Sequence, residues 1–306
     1  MLSPCFPKGL ATDETRRYVL PHEVVQQIYG KNAGFCTGSE LRLQQVYGEE
    51  IWLKMESLGV GPRWWSGKAV LDICCGTGFL SYHLLARATP AHLTLLDISQ
   101  SEIEEARRLI SRNHHHHRVD YECINVTKAA LPSGSFDVVV GNSFLHHFPD
   151  VAVALRQIAR LLRPGGTFVA LHEPKPAAVA FESRNPLTWL SYGMHGDSFV
   201  DRLRGVGDSL PAGQGSDVWL FSEDDLRSLL DQAGFVQTRI EHWHFLRPIL
   251  ATTAGLHLDR HRRPCLGTLG HALLRTAVGA DSLLRKVLPA RFFSSLAVLS
   301  LRGETE

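Results

Sequence analysis

One stretch constrains the fold of this chain more than any other: Leu71-Asp72-Ile73-Cys74-Cys75-Gly76-Thr77-Gly78. The apolar run Ala69 to Ile73 reads as a buried strand, small residues then allow a tight turn, and a helical pattern follows through Leu84 and Leu85. Such a turn lets a ligand reach main-chain amides unobstructed by β-carbons. Asp72 stands at the end of the strand, where a phosphate would be repelled and a cationic ligand tolerated. A second strand, Leu93 to Leu96, ends at Asp97. Dinucleotide folds place the acid that binds ribose hydroxyls there, roughly twenty residues past the turn. The dinucleotide pattern G-x-G-x-x-G would want glycine or alanine where this chain has Ser81.

Around the turn, residues 68–173 alternate short apolar runs with helical patterns, which predicts βαβ units and a parallel sheet. A helix opens at Ser99 and Glu102, whose capping-box spacing lets each satisfy the other's free amide. Val119 to Ile124 is a third strand, and Phe136 to Val140 a fourth, its consecutive valines suited to burial on both faces. A helix from about Asp150 to Leu162 stops at Arg163-Pro164-Gly165-Gly166, and Thr167 to Leu171 is the fifth strand. Ser222 and Asp225 cap a helix ending at Gly234, Phe235 to Phe245 is a strand, and Phe292 to Leu301 alternates as a closing strand.

The expected organisation is a helical N-terminal cap over residues 1–65, a core over 66–174, a Gly- and Pro-rich lid insert over 175–220, and the remainder of the core over 221–306. A helical insert, 247–290, interrupts the last part. In the cap, Leu41, Leu43, Val46, Trp52, Leu53 and Met55 recur at helical spacing, the mark of a packed face.

Composition excludes several classes. The 306 residues carry a net charge of +1, which gives no field to hold a polyanion, so no nucleic-acid partner is expected. No stretch reaches the roughly 18 apolar residues of a membrane span. Pro4, Pro7, Asp13 and Glu14 stand where a secretory signal would be apolar. The six cysteines are scattered, Cys74 and Cys75 are adjacent, and there is no CxxC pair. Neither a disulfide framework nor a metal site is expected, and a reducing cytoplasm is the simplest home. The run His114 to His117 reads as a solvated loop.

A sulfonium nucleoside such as S-adenosylmethionine, with its ammonium and sulfonium charges, suits an acid-flanked turn better than a pyrophosphate does. Leu71 to Gly78, Phe136-Asp137-Val138-Val139, Leu145-His146-His147-Phe148-Pro149-Asp150 and Leu162-Arg163-Pro164-Gly165-Gly166 resemble the successive motifs of class I S-adenosylmethionine-dependent methyltransferases. The resemblance implies a Rossmann-like α/β fold with a seven-stranded, mostly parallel sheet whose last strand is antiparallel. It implies that Asp72, Cys74, Gly76 and Gly78 surround the methionine part of the cofactor. Asp97 would take the ribose hydroxyls and Ile98 would pack on adenine, flanked by Asn125 and Val126. Asn142 and Ser143 would line the sulfonium side. Cys74 stands where relatives have glycine and reads as packing, not as a reactive thiol.

His146 and His147 follow the fourth strand at the carboxyl edge of the sheet. An imidazole there could remove a proton from a hydroxyl or amine acceptor, or only cap the loop. The segment Ile28 to Asn32 with Phe35 to Gly38 resembles the opening segment of small-molecule methyltransferases of the phosphoethanolamine type. That similarity implies Tyr18 as an active-site lid residue paired with His146, and Thr37 and Gly38 as cofactor contacts. Glu173, after the fifth strand, could bind a substrate amine or act as a base, with a surface or lid-anchoring role the plainer reading. Trp243 and Phe245 are among the aromatics that could wall an acceptor pocket. Basic residues in the last third, Arg247, Arg275, Arg285, Lys286 and Arg291 among them, could receive an acidic substrate, lie against a membrane surface, or form a solvated helix face.

The expected function is methylation of a small molecule on oxygen or nitrogen, in secondary metabolism. Two alternatives stay open: another reaction of S-adenosylmethionine on the same fold, such as cyclisation, and C-methylation of a quinone or lipid-like acceptor. Gly141-Asn142-Ser143 departs from the Arg-Asn pair usual in quinone-ring enzymes.

Overall fold

A computed structural model describes residues 41–114, 117–148, 150–175, 220–247 and 267–304. Tyr18, Thr37, Gly38, Pro149 and the expected lid insert up to residue 219 lie outside the described residues. In chain order the elements are α1 (Leu41–Ser57), β1 (Ala69–Ile73), α2 (Phe79–Leu85), β2 (His92–Asp97), α3 (Gln100–Asn113), β3 (Val119–Cys123), β4 (Phe136–Asn142), α4 (Val151–Leu161), β5 (Leu162–Pro174), α5 (Glu223–Gln232), β6 (Phe235–Trp243), α6 (Gly267–Leu284) and β7 (Ser295–Arg302).

The strands form one seven-stranded sheet of order β3-β2-β1-β4-β5-β7-β6. Pairing is parallel from β3 through β5, and β7 runs antiparallel to both its neighbours. Strand order reverses beside β1, with β2 on one side and β4 on the other. Open α/β sheets bind ligands in the crevice outside the carboxyl ends of the strands at such a reversal. Asp72 and Asp97 both stand at that edge.

Alternation along the strands divides the core into two layers. Leu71, Ile73 and Val139 pack under α4 and α5 with Leu155, Ile158, Leu226 and Leu230. Val70, Val138 and Val140 face Trp52 and Met55 of α1, Leu80 and Leu84 of α2, and Ile103 and Ile110 of α3. Each such side chain contributes about 1.5–3 kcal/mol by leaving water. The consecutive valines of β4 thus serve both layers.

Local side chains cap the helix starts, although of the capping box expected at Ser99 and Glu102 only the Ser99 half forms. Asp150 Oδ1 accepts the Val153 amide at 2.9 Å, and Ser222 Oγ accepts the Asp225 amide at 3.1 Å. At α3, Ser99 Oγ accepts the Glu102 amide at 3.4 Å, while the Ser99 amide goes to Asp97 Oδ1 at 2.9 Å. Two further expectations need correction. Strand β5 begins at Leu162, which pairs with Phe136, so the Pro164-Gly165 turn lies within the strand as an irregularity and does not precede it. His114 is buried against Tyr82, ring centroids 5.0 Å apart, and does not sit in a solvated loop.

Among the described residues no helix is long and apolar enough to cross a membrane, and no group of three or more His, Cys, Asp or Glu could hold a metal ion. Gly141, on β4 just before the loop that carries His146, has no room for a methyl group. A Cβ there would lie 2.7 Å from the Phe144 ring and 2.9 Å from the Ile73 carbonyl oxygen. Gly141→Ala is therefore expected to cost about 1–3 kcal/mol, seen as a lowered midpoint in thermal unfolding; an unchanged midpoint would mean the loop gives way freely.

Candidate functional site

The turn after β1 is left-handed at three places within five residues: Cys74 (φ 53°), Gly76 (φ 51°) and Gly78 (φ 77°). For Gly78 the need is double, because a Cβ would also come within 2.9 Å of the Ala106 Cβ. Cys74, a non-glycine residue in this region, carries a strain that the surrounding bonds must hold. Those bonds are explicit. The Cys75 amide donates to the Leu96 carbonyl at 3.0 Å, the Gly78 amide to the Cys75 carbonyl at 2.9 Å, and the Gly76 amide to Asp97 Oδ2 at 2.9 Å.

Asp97 is thus bonded through both oxygens, to Gly76 and to Ser99, and each oxygen keeps further acceptor capacity. Asp72 is fully enclosed, and Ser81 Oγ donates to its Oδ2 at 2.6 Å. Burial pushes the Asp72 carboxyl up to about 7; the Ser81 hydrogen bonds pull the other way and the Asp97 charge adds to the rise. Burial raises Asp97 also, against the amides that stabilise its charge. Burial and the neighbouring carboxylates Asp97, Asp72 and Glu173 push the Cys74 thiol well up, so it stays protonated and un-nucleophilic.

Glu173 corrects the expectation of a surface or lid-anchoring group. It is fully buried, and its carboxylate gathers the amides of Phe144 (3.1 Å), Leu145 (3.1 Å) and His146 (3.3 Å). The same carboxylate meets His146 Nδ1 at 2.8 Å. A carboxylate cannot donate, so Nδ1 carries the proton and Nε2 is left as the basic nitrogen. An imidazole fixed in its tautomer by a buried carboxylate is the arrangement of a general base with its orienting group. His147 stacks beside it with centroids 4.0 Å apart; burial, then the His146 charge, holds it well below the usual imidazole range.

The other expected contacts divide. Ile98 is half-buried just past Asp97. Asn125 Oδ1 accepts from the Thr127 amide at 3.0 Å and its hydroxyl at 2.8 Å, fixing the turn Val126–Lys128. The side chain of Val126 packs in the core, so only its main chain could meet a ligand. Asn142 and Ser143 (φ 59°) end β4 half-buried, and the Ser143 amide donates to the Leu171 carbonyl at 2.7 Å. Reasoning from the sequence missed the roles of Ser81 and Glu173. It also missed the buried Glu102, whose Oε2 lies 3.8 Å from where a Cβ on Gly76 would stand.

A second polar cluster joins the cap helix to the far strands. Lys54 Nζ lies 2.5 Å from Glu50 Oε1 and 2.9 Å from His244 Nε2, and Arg247 pairs with Glu50 Oε2 at 2.8 Å. Burial alone would raise the Glu50 carboxyl, but Arg247, Lys54 and His244 hold it well below the usual carboxylate range. Trp243, expected as a pocket wall, is instead fully buried, with Lys54 and Arg285 facing its ring. Phe245 packs on Phe292 and Phe293.

A parallel sheet reversing beside a left-handed, acid-flanked turn defines a Rossmann-like nucleoside-binding scaffold. Residues 71–170 match the family model described as a methyltransferase domain. A 27-O-demethylrifamycin SV methyltransferase of Amycolatopsis mediterranei is 35% identical over 117 residues, 37% of this chain and 43% of that protein. A demethylmenaquinone methyltransferase of Staphylococcus haemolyticus is 28% identical over 63% of this chain and 76% of its own length. Among solved structures, the [4+2]-cyclase SpnF superposes with a TM-score of 0.54 at 18% identity, covering 99% of this chain and 98% of that one. Residues 71–170 are thus similar to the methyltransferase domain, within a sheet of the Rossmann-like kind that class I S-adenosylmethionine-dependent methyltransferases use. The chain spans less than half the length of the first curated relatives it matches.

Because Asp72 keeps its proton up to about pH 7 in the folded chain and loses it near pH 4 when unfolded, stability falls as pH rises between those values. Asp72→Asn should remove that component, so its unfolding temperature should decline less than that of the unsubstituted chain from about pH 5 to about pH 8. Asp97, raised in the same direction, keeps the flattening partial. Parallel profiles for the two proteins would contradict the assignment.

Proposed function

We propose that this protein transfers the methyl group of S-adenosylmethionine to a hydroxyl or amine of a small-molecule acceptor. The observation that carries the reading is the His146–Glu173 pair at the same sheet edge as the acid-flanked turn. The fit to a sulfonium nucleoside rests on chemistry: Asp97 brings negative charge where a pyrophosphate-binding turn would have none, Asp72 adds to it as it ionises near pH 7, and Gly76 carries no Cβ beside them.

When bound, S-adenosylmethionine supplies an electrophilic methyl on its sulfonium. Asp97, already fixed by the Gly76 and Ser99 amides, has remaining lone pairs for the two ribose hydroxyls. Ile98 offers an apolar face to the adenine, and the main chain of Val126 its edge. Asn142 and Ser143 stand at the sulfonium side. His146 Nε2 would take the acceptor's proton as the acceptor atom bonds to the methyl carbon and the methyl–sulfur bond breaks to leave S-adenosylhomocysteine, while Nδ1 keeps its proton and donates it in a hydrogen bond to Glu173, whose charge would offset the developing imidazolium. His147, uncharged at neutral pH, leaves that charge unopposed. Tyr18, Thr37 and Gly38 are proposed to close over the cofactor, the cap over residues 1–65 and the insert over 175–220 covering the acceptor.

The curated relatives are named for a rifamycin O-methylation and for demethylmenaquinone. A proton acceptor built as His146–Glu173 is needed for oxygen or nitrogen, where the attacking atom carries a proton to lose, and this favours the former chemistry. Incubation with S-adenosylmethionine and a panel of phenolic, alcoholic and amine acceptors should yield S-adenosylhomocysteine and a methylated product by mass spectrometry. Methylthioadenosine, or an altered acceptor with no methyl gained, would reject the proposal in favour of a non-methylating reaction. His146→Ala should lower turnover about 100-fold or more with cofactor affinity nearly unchanged; full activity would remove His146 from the chemistry.

A further inference from the structure

The turn between α6 and β7 is dressed for a surface other than water. Leu283, Val287 and Phe292 are exposed by 66%, 75% and 44%. Between them lie Arg285, Lys286 and Arg291, and from Ser282 to Gly303 there is no Asp or Glu. Arg285 is paired with Glu241 at 2.5 Å and faces the ring of Trp243. Among the described residues no acid pairs with Lys286 or Arg291; the Arg291 guanidinium lies over the Phe292 ring, 5.2 Å from its centroid.

The turn is also held in place. Lys175 Nζ donates to the Ala290 carbonyl at 2.7 Å and meets His242 Nδ1 at 3.0 Å, and the rings of Phe292 and Phe245 are 6.1 Å apart. A firmly seated loop that shows valine, leucine and phenylalanine to solvent spends hydrophobic stabilisation that an ordinary surface would retain. Apolar side chains rimmed by unpaired basic ones are the pattern of a segment lying in the headgroup layer of an anionic bilayer, with too short an apolar stretch to cross it.

We propose that residues 283–292 form a peripheral docking surface for an anionic lipid bilayer, with Leu283, Val287 and Phe292 entering the headgroup layer and Lys286 and Arg291 meeting the lipid phosphates. Net positive charge favours an anionic bilayer over a second copy of the chain, which would bring like charges together. Ser295, the first residue of β7, pairs with Pro174 and Trp243. The surface therefore lies at the same edge of the sheet as Glu173 and His146, and docking would turn that edge toward the lipid. The inference concerns the surface and does not depend on the reaction proposed above.

The test is cosedimentation of the full chain with vesicles of mixed phosphatidylcholine and phosphatidylglycerol, beside vesicles of phosphatidylcholine alone, at about 0.1 M salt. Binding to the mixed vesicles should exceed binding to the neutral ones by about tenfold or more, and should fall about as much in the Lys286→Glu/Arg291→Glu variant. Val287→Ser, at a site too exposed to disturb folding, should weaken binding several-fold. S-adenosylhomocysteine affinity should be the same in all three proteins, which separates failure here from failure of the proposed reaction. No binding, equal binding to both vesicle types, or binding indifferent to either variant would overturn the proposal. So would self-association in sedimentation velocity that Val287→Ser abolishes while vesicles bind nothing.

Discussion

The bond from the Gly76 amide to Asp97 Oδ2 is the contact on which the site depends. It fastens a strained turn after β1 to the end of β2. Without it, the left-handed conformation of Cys74 would have to be held by the Cys75–Leu96 and Gly78–Cys75 bonds alone. One carboxylate therefore does two jobs that pull in the same direction. It organises the loop, and its remaining lone pairs face the place where a nucleoside sugar would lie.

The same device recurs along this edge of the sheet. Glu173 gathers three amides of the loop after β4, and Asp281 gathers those of Phe245, Leu246 and Arg247 after β6, at 2.7–3.1 Å. A buried carboxylate is costly unless it is fully hydrogen-bonded, and main-chain amides are donors that cannot move away. Each acid thus fixes one loop against the rigid sheet. For Glu173 there is a chemical dividend, since its last contact orients His146. The Glu50–Lys54–Arg247 cluster extends the scheme to the cap helix, where removing Glu50 would leave Lys54 and Arg247 without the carboxylate they share, at a cost of about 3–5 kcal/mol.

What could be read from the sequence was what local chemistry decides. The Leu71–Gly78 turn, the cap at Ser222, and the double-faced valines of β4 signal through neighbours a few residues apart, and all seven strands were found. Glu173 escaped because its partners lie 27 to 29 residues upstream and meet it only once β4 and β5 pair. Lys54 and His244 are 190 residues apart, so the buried ion cluster looked like an ordinary amphipathic helix. The start of β5 was hidden because Pro-Gly-Gly normally breaks a strand, yet here Leu162 still pairs with Phe136 before the irregularity. Trp243, its ring faced by the buried Lys54 and the half-buried Arg285, was indistinguishable in sequence from a pocket wall.

Calorimetric titration with S-adenosylhomocysteine tests the account most directly. The chain as it stands should bind one equivalent, and Asp97→Asn, which keeps an acceptor for Gly76 but gives up the charge and an acceptor for the ribose, should bind at least about tenfold more weakly. Its unfolding temperature should fall modestly, because either the Gly76 or the Ser99 amide loses its acceptor, while the protein stays folded at the temperature of the titration. Equal affinity in the two proteins, or no heat of binding in either, would contradict the assignment of this turn as the nucleoside site.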